Sequence, residues 1–107
     1  MKIAAITQDQ LILIDGVPAL LGELGGYRME RGEWAVHFDT LTGVGQIEYF
    51  DNRQNQLISN DEFNKHYTWL IEEHQRYQDH KAAELAAEEA ANAANEIVES
   101  GSVSNNV

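Results

Sequence analysis

The stretch from Asp61 to Ser100 constrains the fold most, because it contains neither glycine nor proline. Alanine, the residue with the highest helix propensity, dominates its second half. Ser59 or Asn60 can cap a helix here, and the acidic residues that follow suit its positively polarised first turn. The sequence therefore predicts one helix over residues 60–99, about 58 Å long if it is unbroken.

Large side chains recur in the first half of this helix at alternating spacings of four and three, so they form one continuous face. Such a face can pack on the rest of the chain or on a partner. We predict that this face, together with the neighbouring Ile71, contacts a partner. The predicted partner-binding residues are Phe63, Tyr67, Leu70, Ile71, His74 and Tyr77.

The second half of the helix carries mostly alanine and glutamate. Ala82, Ala86, Ala90, Ala93 and Ile97 follow one another at helical spacing and predict a narrow seam of small residues. Such a seam favours close helix packing, as in a coiled coil, and self-association of the chain. The polar residues that follow predict a flexible tail over 100–107.

Residues 1–59 hold most of the branched and aromatic side chains and predict a β-rich module. Residues 3–6 and 11–14 are short apolar runs separated by four polar residues, a pattern typical of a hairpin. A second hairpin is predicted from residues 34–38 and 46–50. With a brief strand near residue 57, the module is a small antiparallel β meander of four or five strands, and the whole chain is of the α+β class.

Between the two hairpins, Asp15 and Gly16 supply a turn, and Pro18 excludes a central strand. Residues 19–24 are predicted to form one helical turn or a loop that places leucines on the core. Gly25 and Gly26 end this segment.

The charge balance limits the classes of partner. The chain has 18 acidic and 7 basic residues and a net charge of −11. Nucleic acids and anionic membranes are themselves polyanions, so neither is predicted as a partner. The chain has no cysteine, and its apolar N-terminal run is too short for a signal peptide or a membrane span. These features predict a protein made in the cytoplasm.

The candidate residues for chemistry form no complete site. His66, His74 and His80 are spaced too far apart along the helix or lie on different faces, so no metal and no cofactor are predicted. The polar residues near the ends of the second hairpin could support catalysis only if they approached one another. These residues are His37, Asp39, Glu48 and Asp51. The sequence predicts a protein that is not an enzyme.

The N-terminal sixty residues resemble the small accessory proteins encoded among the tail and tail-fibre genes of tailed bacteriophages. The resemblance lies in four segments followed by an acidic, alanine-rich helix. The segments are Lys2-Ile3-Ala4-Ala5-Ile6-Thr7, Ile14-Asp15-Gly16-Val17-Pro18, Trp34-Ala35-Val36-His37-Phe38-Asp39 and Gly45-Gln46-Ile47-Glu48-Tyr49. It implies a component of the virion tail or an assembly factor, without catalytic residues.

Two functional hypotheses follow from these observations. The first is a phage structural or assembly protein that docks on a larger virion protein or on copies of itself. The alternative is a small acidic inhibitor that presents carboxylates to the basic groove of a nucleic-acid enzyme, which a net charge of −11 permits.

Overall fold

The computed structural model describes the backbone of residues 1–105 and the side chains of residues 1–94. It confirms the α+β class, with one antiparallel sheet followed by a long C-terminal helix. The strands are β1 (Lys2–Ile6), β2 (Leu11–Ile14), β3 (Val17–Leu20), β4 (Glu33–Asp39), β5 (Val44–Tyr49) and β6 (Gln56–Ser59). A short 3-10 helix covers Leu21–Leu24, and the α-helices are α1 (Asn60–His66) and α2 (Trp69–Asn105).

The order of the strands in the sheet is β3-β2-β1-β4-β5-β6, and every neighbouring pair is antiparallel. The sheet therefore consists of two three-stranded meanders, which are joined where β1 pairs with β4. The prediction of a single meander was wrong. This pairing places the apolar strand β1 near the middle of the sheet.

The strand β3 was not predicted, and its second half, residues 19–20, lies where we predicted a helical turn or a loop. A two-residue turn precedes it, with positive φ at Asp15 (50°) and Gly16 (81°), as a type I′ hairpin turn requires. Pro18 is tolerated because β3 is an edge strand. The predicted helical turn is present only as the 3-10 helix Leu21–Leu24.

One face of the sheet is covered by the helices. The stacked rings of Phe38 and Phe63, with centroids 4.3 Å apart, join β4 to α1. Alternate residues of all six strands point into this core, as expected for a half-buried antiparallel sheet. The strand residues buried there are Ile3, Ala5, Ile12, Ile14, Ala19, Val36, Phe38, Ile47 and Ile58.

The predicted single helix is interrupted between α1 and α2. Tyr67 leaves the helical conformation (φ −132°), and the backbone N–H of Leu70 donates to the Tyr67 carbonyl, a tighter i to i−3 bond. The indole N–H of Trp69 donates to the carbonyl of His66, 2.9 Å away, and satisfies an acceptor at the end of α1. No glycine or proline is needed for this break, because side-chain contacts stabilise it.

The chain divides into two compact units, Met1–Tyr77 and Gln78–Val107. The first unit extends beyond the predicted boundary at residue 59 because the first turns of the helical region contribute to the core. In the second unit, residues 82–94 are exposed. Ile97 and the side chains of the predicted tail, 100–107, lie outside the described residues, so the coiled-coil seam and the flexible tail stay predictions.

Candidate functional site

The second face of the sheet is open. The strand register places Ala4, Leu13, Leu57 and His37 in one row across it, on the side opposite the core. Leu57 is 70% exposed, and Ala4 and Leu13 are only half-buried. Within residues 1–77, no helix covers this face in the way that α1 and the first turns of α2 cover the other.

A groove with a volume of about 550 Å³ runs across this face, and we call it the open-face groove. Its apolar lining comes from β1, β2, β5 and β6 and includes Ala4, Leu13, Val44, Gly45 and Leu57. Ala4 is small, which leaves room above this face of the sheet. At Gly45 a Cβ atom would collide with the carbonyl oxygen of His37, so the close approach of β4 requires glycine there.

Polar side chains of four kinds also line the groove: Lys2, His37, Asp39 and Gln46. The carboxylate of Asp39 already accepts the backbone N–H of Leu41, 2.9 Å away, in the turn that follows β4. An apolar floor with a few polar groups beside it is the composition of protein–protein contact surfaces. The groove is therefore suited to apolar side chains of another protein.

A second, smaller pocket of about 250 Å³ lies beside the break between the helices, and we call it the polar pocket. Glu33 in its wall is only 2% exposed. Its carboxylate accepts the Tyr67 hydroxyl at 3.0 Å and the backbone N–H of Arg31 at 2.6 Å. Burial, and next the negative charge of Glu33, raise the pKa of Tyr67. This network holds the start of β4 against the helix break.

The six predicted partner-binding residues belong to the first compact unit. Phe63, Tyr67, Leu70, His74 and Tyr77 are buried, and Ile71 is half-buried. Their spacing did identify one helical face, but the chain's own sheet covers that face. The imidazole Nε2 of His74 lies 2.8 Å from the carbonyl oxygen of Val17, and the Tyr77 hydroxyl donates to Glu23. These residues stabilise the unit, and the surface that is open to a partner lies on the opposite side of the sheet.

Of the residues considered for catalysis, His37 and Asp39 line the open-face groove, but Glu48 and Asp51 do not join them. Asp39 lies at the turn end of the second hairpin, whereas Glu48 and Asp51 lie at or beyond its other end. Asp51 is paired with Arg53 at 2.9 Å, which lowers the pKa of the carboxyl group. Within the described part of the chain, no group of three histidine, aspartate or glutamate side chains could hold a metal ion.

Sequence reasoning missed both the open-face groove and the polar pocket. The groove had a signal, because residues 11–14 are apolar without alternation, and Ala4 and Ile6 make β1 apolar on both faces. Glu33 had none, because a bulge between Glu33 and Ala35 turns its side chain into the core.

Comparisons with protein-family models, with curated proteins and with solved structures found no match to this chain. Among the described residues, no helix has both the length and the apolar character needed to cross a membrane.

Proposed function

We propose that this chain is a non-enzymatic assembly protein that docks on a larger protein through its open-face groove. The observation that carries the proposal is an apolar, partly exposed face on a chain with a net charge of −11. Large exposed apolar areas commonly mark interaction sites in proteins of this kind.

The composition of the two sheet faces supports this role. The core face already has the helices packed on it, and a solvent-facing second side would ordinarily alternate to polar residues. Here Leu13, Val44 and Leu57 stand where polar side chains would serve the fold equally well. A partner that covers these side chains would bury them, and the polar groups beside them would fix its orientation.

The bacteriophage context of the proposal comes from the resemblance of the N-terminal sixty residues to tail-region accessory proteins. In that context the partner is a larger structural protein of the tail, and the chain is either a virion component or an assembly factor. Small subunits repeated by symmetry are common in such particles.

Quantitative mass spectrometry of purified particles tests the virion role. We expect a fixed number of copies per particle and loss of complete particles when the gene is deleted. Complete, infectious particles that lack the protein would contradict the virion role and leave that of a transient assembly factor. Normal assembly of particles in cells that never contain the gene would contradict both the virion role and the role of an assembly factor.

The acidic inhibitor remains a second proposal, supported by the exposed carboxylates of α2. Glu72, Asp79, Glu88 and Glu89 are exposed there. A polyanion mimic should lose affinity for a basic enzyme steeply as salt is raised, whereas docking through an apolar groove should be nearly insensitive to salt. Binding measured between low and high ionic strength separates the two proposals.

A further inference from the structure

The two edges of the sheet are protected differently. On β3, Pro18 lacks the N–H that an added strand would need. Proline and charge are the common devices that keep edge strands from pairing. On β6 and its flanks, residues 54–60 contain neither proline nor a charged residue, in a chain with a net charge of −11.

The hydrogen-bond pattern shows which backbone groups of β6 point away from the sheet. Thr40 N–H donates to the carbonyl of Met1, and antiparallel pairs alternate between bonded and non-bonded positions. When this alternation is followed from β1 through β4 to β5, Gly45 and Ile58 form a pair whose backbone groups are hydrogen-bonded to each other. The N–H and carbonyl of Leu57 consequently point outward.

Among the large apolar residues of the six strands, Leu57 has the most exposed side chain, at 70%. No backbone hydrogen bond to its outward N–H or carbonyl occurs among the described residues. The edge therefore combines free backbone groups with an exposed leucine, which is what an added strand requires.

We propose that β6 pairs antiparallel with β6 of a second copy of this chain, around a twofold axis at Leu57. In this register the two Leu57 residues exchange both of their backbone hydrogen bonds, and Gln56 faces Ile58 of the second copy. The surface is self-complementary, as a twofold interface must be. Because residues 54–60 are uncharged, no like charges meet along the paired strands. The pairing needs no other partner and so goes beyond the proposed function.

The net charge makes a second demand on this dimer. Each copy carries a charge of −11, so the two copies repel each other over distances that salt screens. The dimer should therefore become tighter as salt is raised from about 20 mM to about 300 mM. This is the opposite of the salt dependence expected for an acidic inhibitor on a basic enzyme.

Sedimentation velocity of the full chain, from about 10 μM to about 1 mM, tests the proposal. The wild-type chain should form a dimer as concentration rises. Leu57→Pro removes only the outward N–H and should weaken dimerisation at least about tenfold. Leu57→Ala keeps the N–H and should retain most of it. Val44→Lys alters the open-face groove from the neighbouring strand β5, whose backbone does not belong to the edge, and should leave the dimer unchanged.

Circular dichroism melting shows whether Leu57→Pro is folded; if it is not, Leu57→Asp, which sets two like charges opposite each other, replaces it. A chain that stays monomeric throughout the concentration range would overturn the proposal. So would a dimer that resists both Leu57→Pro and Leu57→Asp, or one that Val44→Lys disrupts, because the copies would then associate through another surface.

Discussion

Tyr67 and Glu33 are separated by 34 positions in the sequence, yet their side chains share one buried hydrogen bond of 3.0 Å. A buried carboxylate is costly unless its oxygens accept hydrogen bonds. The Tyr67 hydroxyl supplies one of these bonds, and the backbone of Arg31 supplies another. This pair stabilises the chain at the point where it leaves helical geometry, Tyr67.

Replacement of Tyr67 by phenylalanine should lower the free energy of unfolding by about 1–2 kcal/mol, because Glu33 loses a buried donor. Urea unfolding measures the change. Tyr49→Phe is the matched control, since the Tyr49 hydroxyl bonds to Gln56 at an exposed position, and it should cost less than about 0.5 kcal/mol. Equal losses in the two variants would show that the bond to Glu33 has no special role.

The same residue predicts a dependence on alkaline pH. The pKa of Tyr67 is raised in the folded chain by burial and by Glu33, whereas the pKa of an unfolded tyrosine is about 10. The stabilisation is complete below the unfolded pKa and is lost as the pH rises above it. In urea titrations between about pH 9 and about pH 11, the wild type should lose more stability than Tyr67→Phe. Parallel pH profiles would contradict this assignment.

Gly45 provides a steric test of the sheet. Gly45→Ala should destabilise the chain by about 2 kcal/mol or more, because its Cβ would meet the backbone of β4. Gly22→Ala is the control, since the nearest side-chain atom to its Cβ, in Gln10, would lie at an ordinary contact distance of 3.8 Å. Thermal melting distinguishes them, and an unaffected Gly45→Ala variant would place β4 and β5 differently from the register described here.

At the scale of the elements, local sequence signals identified most of the strands and the start of the helical region. Ser59 caps α1 by accepting the backbone N–H of Glu62, as predicted, and the spacing of Phe63 to Tyr77 identified the buried face. The helix break could not be predicted, because Glu33, which stabilises it, lies in a distant strand. The pairing of β1 with β4 is likewise a long-range contact that no local pattern specifies.

Truncation separates the two parts of the helical region. Removal of residues 82–107 should leave the first compact unit folded, because its core ends at Tyr77. Leu70→Asp with Ile71→Asp should unfold the chain or cost about 4 kcal/mol or more, because Leu70 is fully buried. Circular dichroism melting compares them, with Leu85→Asp, at an exposed position of α2, as the control. An unfolded truncation together with a harmless double substitution would place the alanine-rich segment in the core.

At the scale of the whole molecule, the first compact unit has one sheet with two apolar faces and helices on only one of them. The covered face accounts for folding, and its side chains match the periodicity of the strands and of α1. The open face retains apolar side chains that are partly exposed. The composition of β1 and β2 indicated these side chains, but the groove itself depends on the strand order, which sequence alone did not provide.

Folding and docking should therefore respond differently to a charge in the groove. Val44→Lys should change the free energy of unfolding by less than about 0.5 kcal/mol, since Val44 is 54% exposed. Urea unfolding tests this against Leu41→Lys, a substitution three positions away at a site that is 88% exposed and outside the groove. A large loss of stability in Val44→Lys alone would mean that the open face contributes to folding.

In the proposed phage context, the amount of these two variants in purified particles tests docking through the groove most directly. Each variant replaces one exposed apolar residue by lysine, but only Val44 lines the open-face groove. Leu41→Lys should be present at the wild-type number of copies, whereas Val44→Lys should be reduced about tenfold or more, because the lysine places a charge against the partner's apolar side chains. Incorporation of Val44→Lys at the wild-type level would contradict docking through the groove.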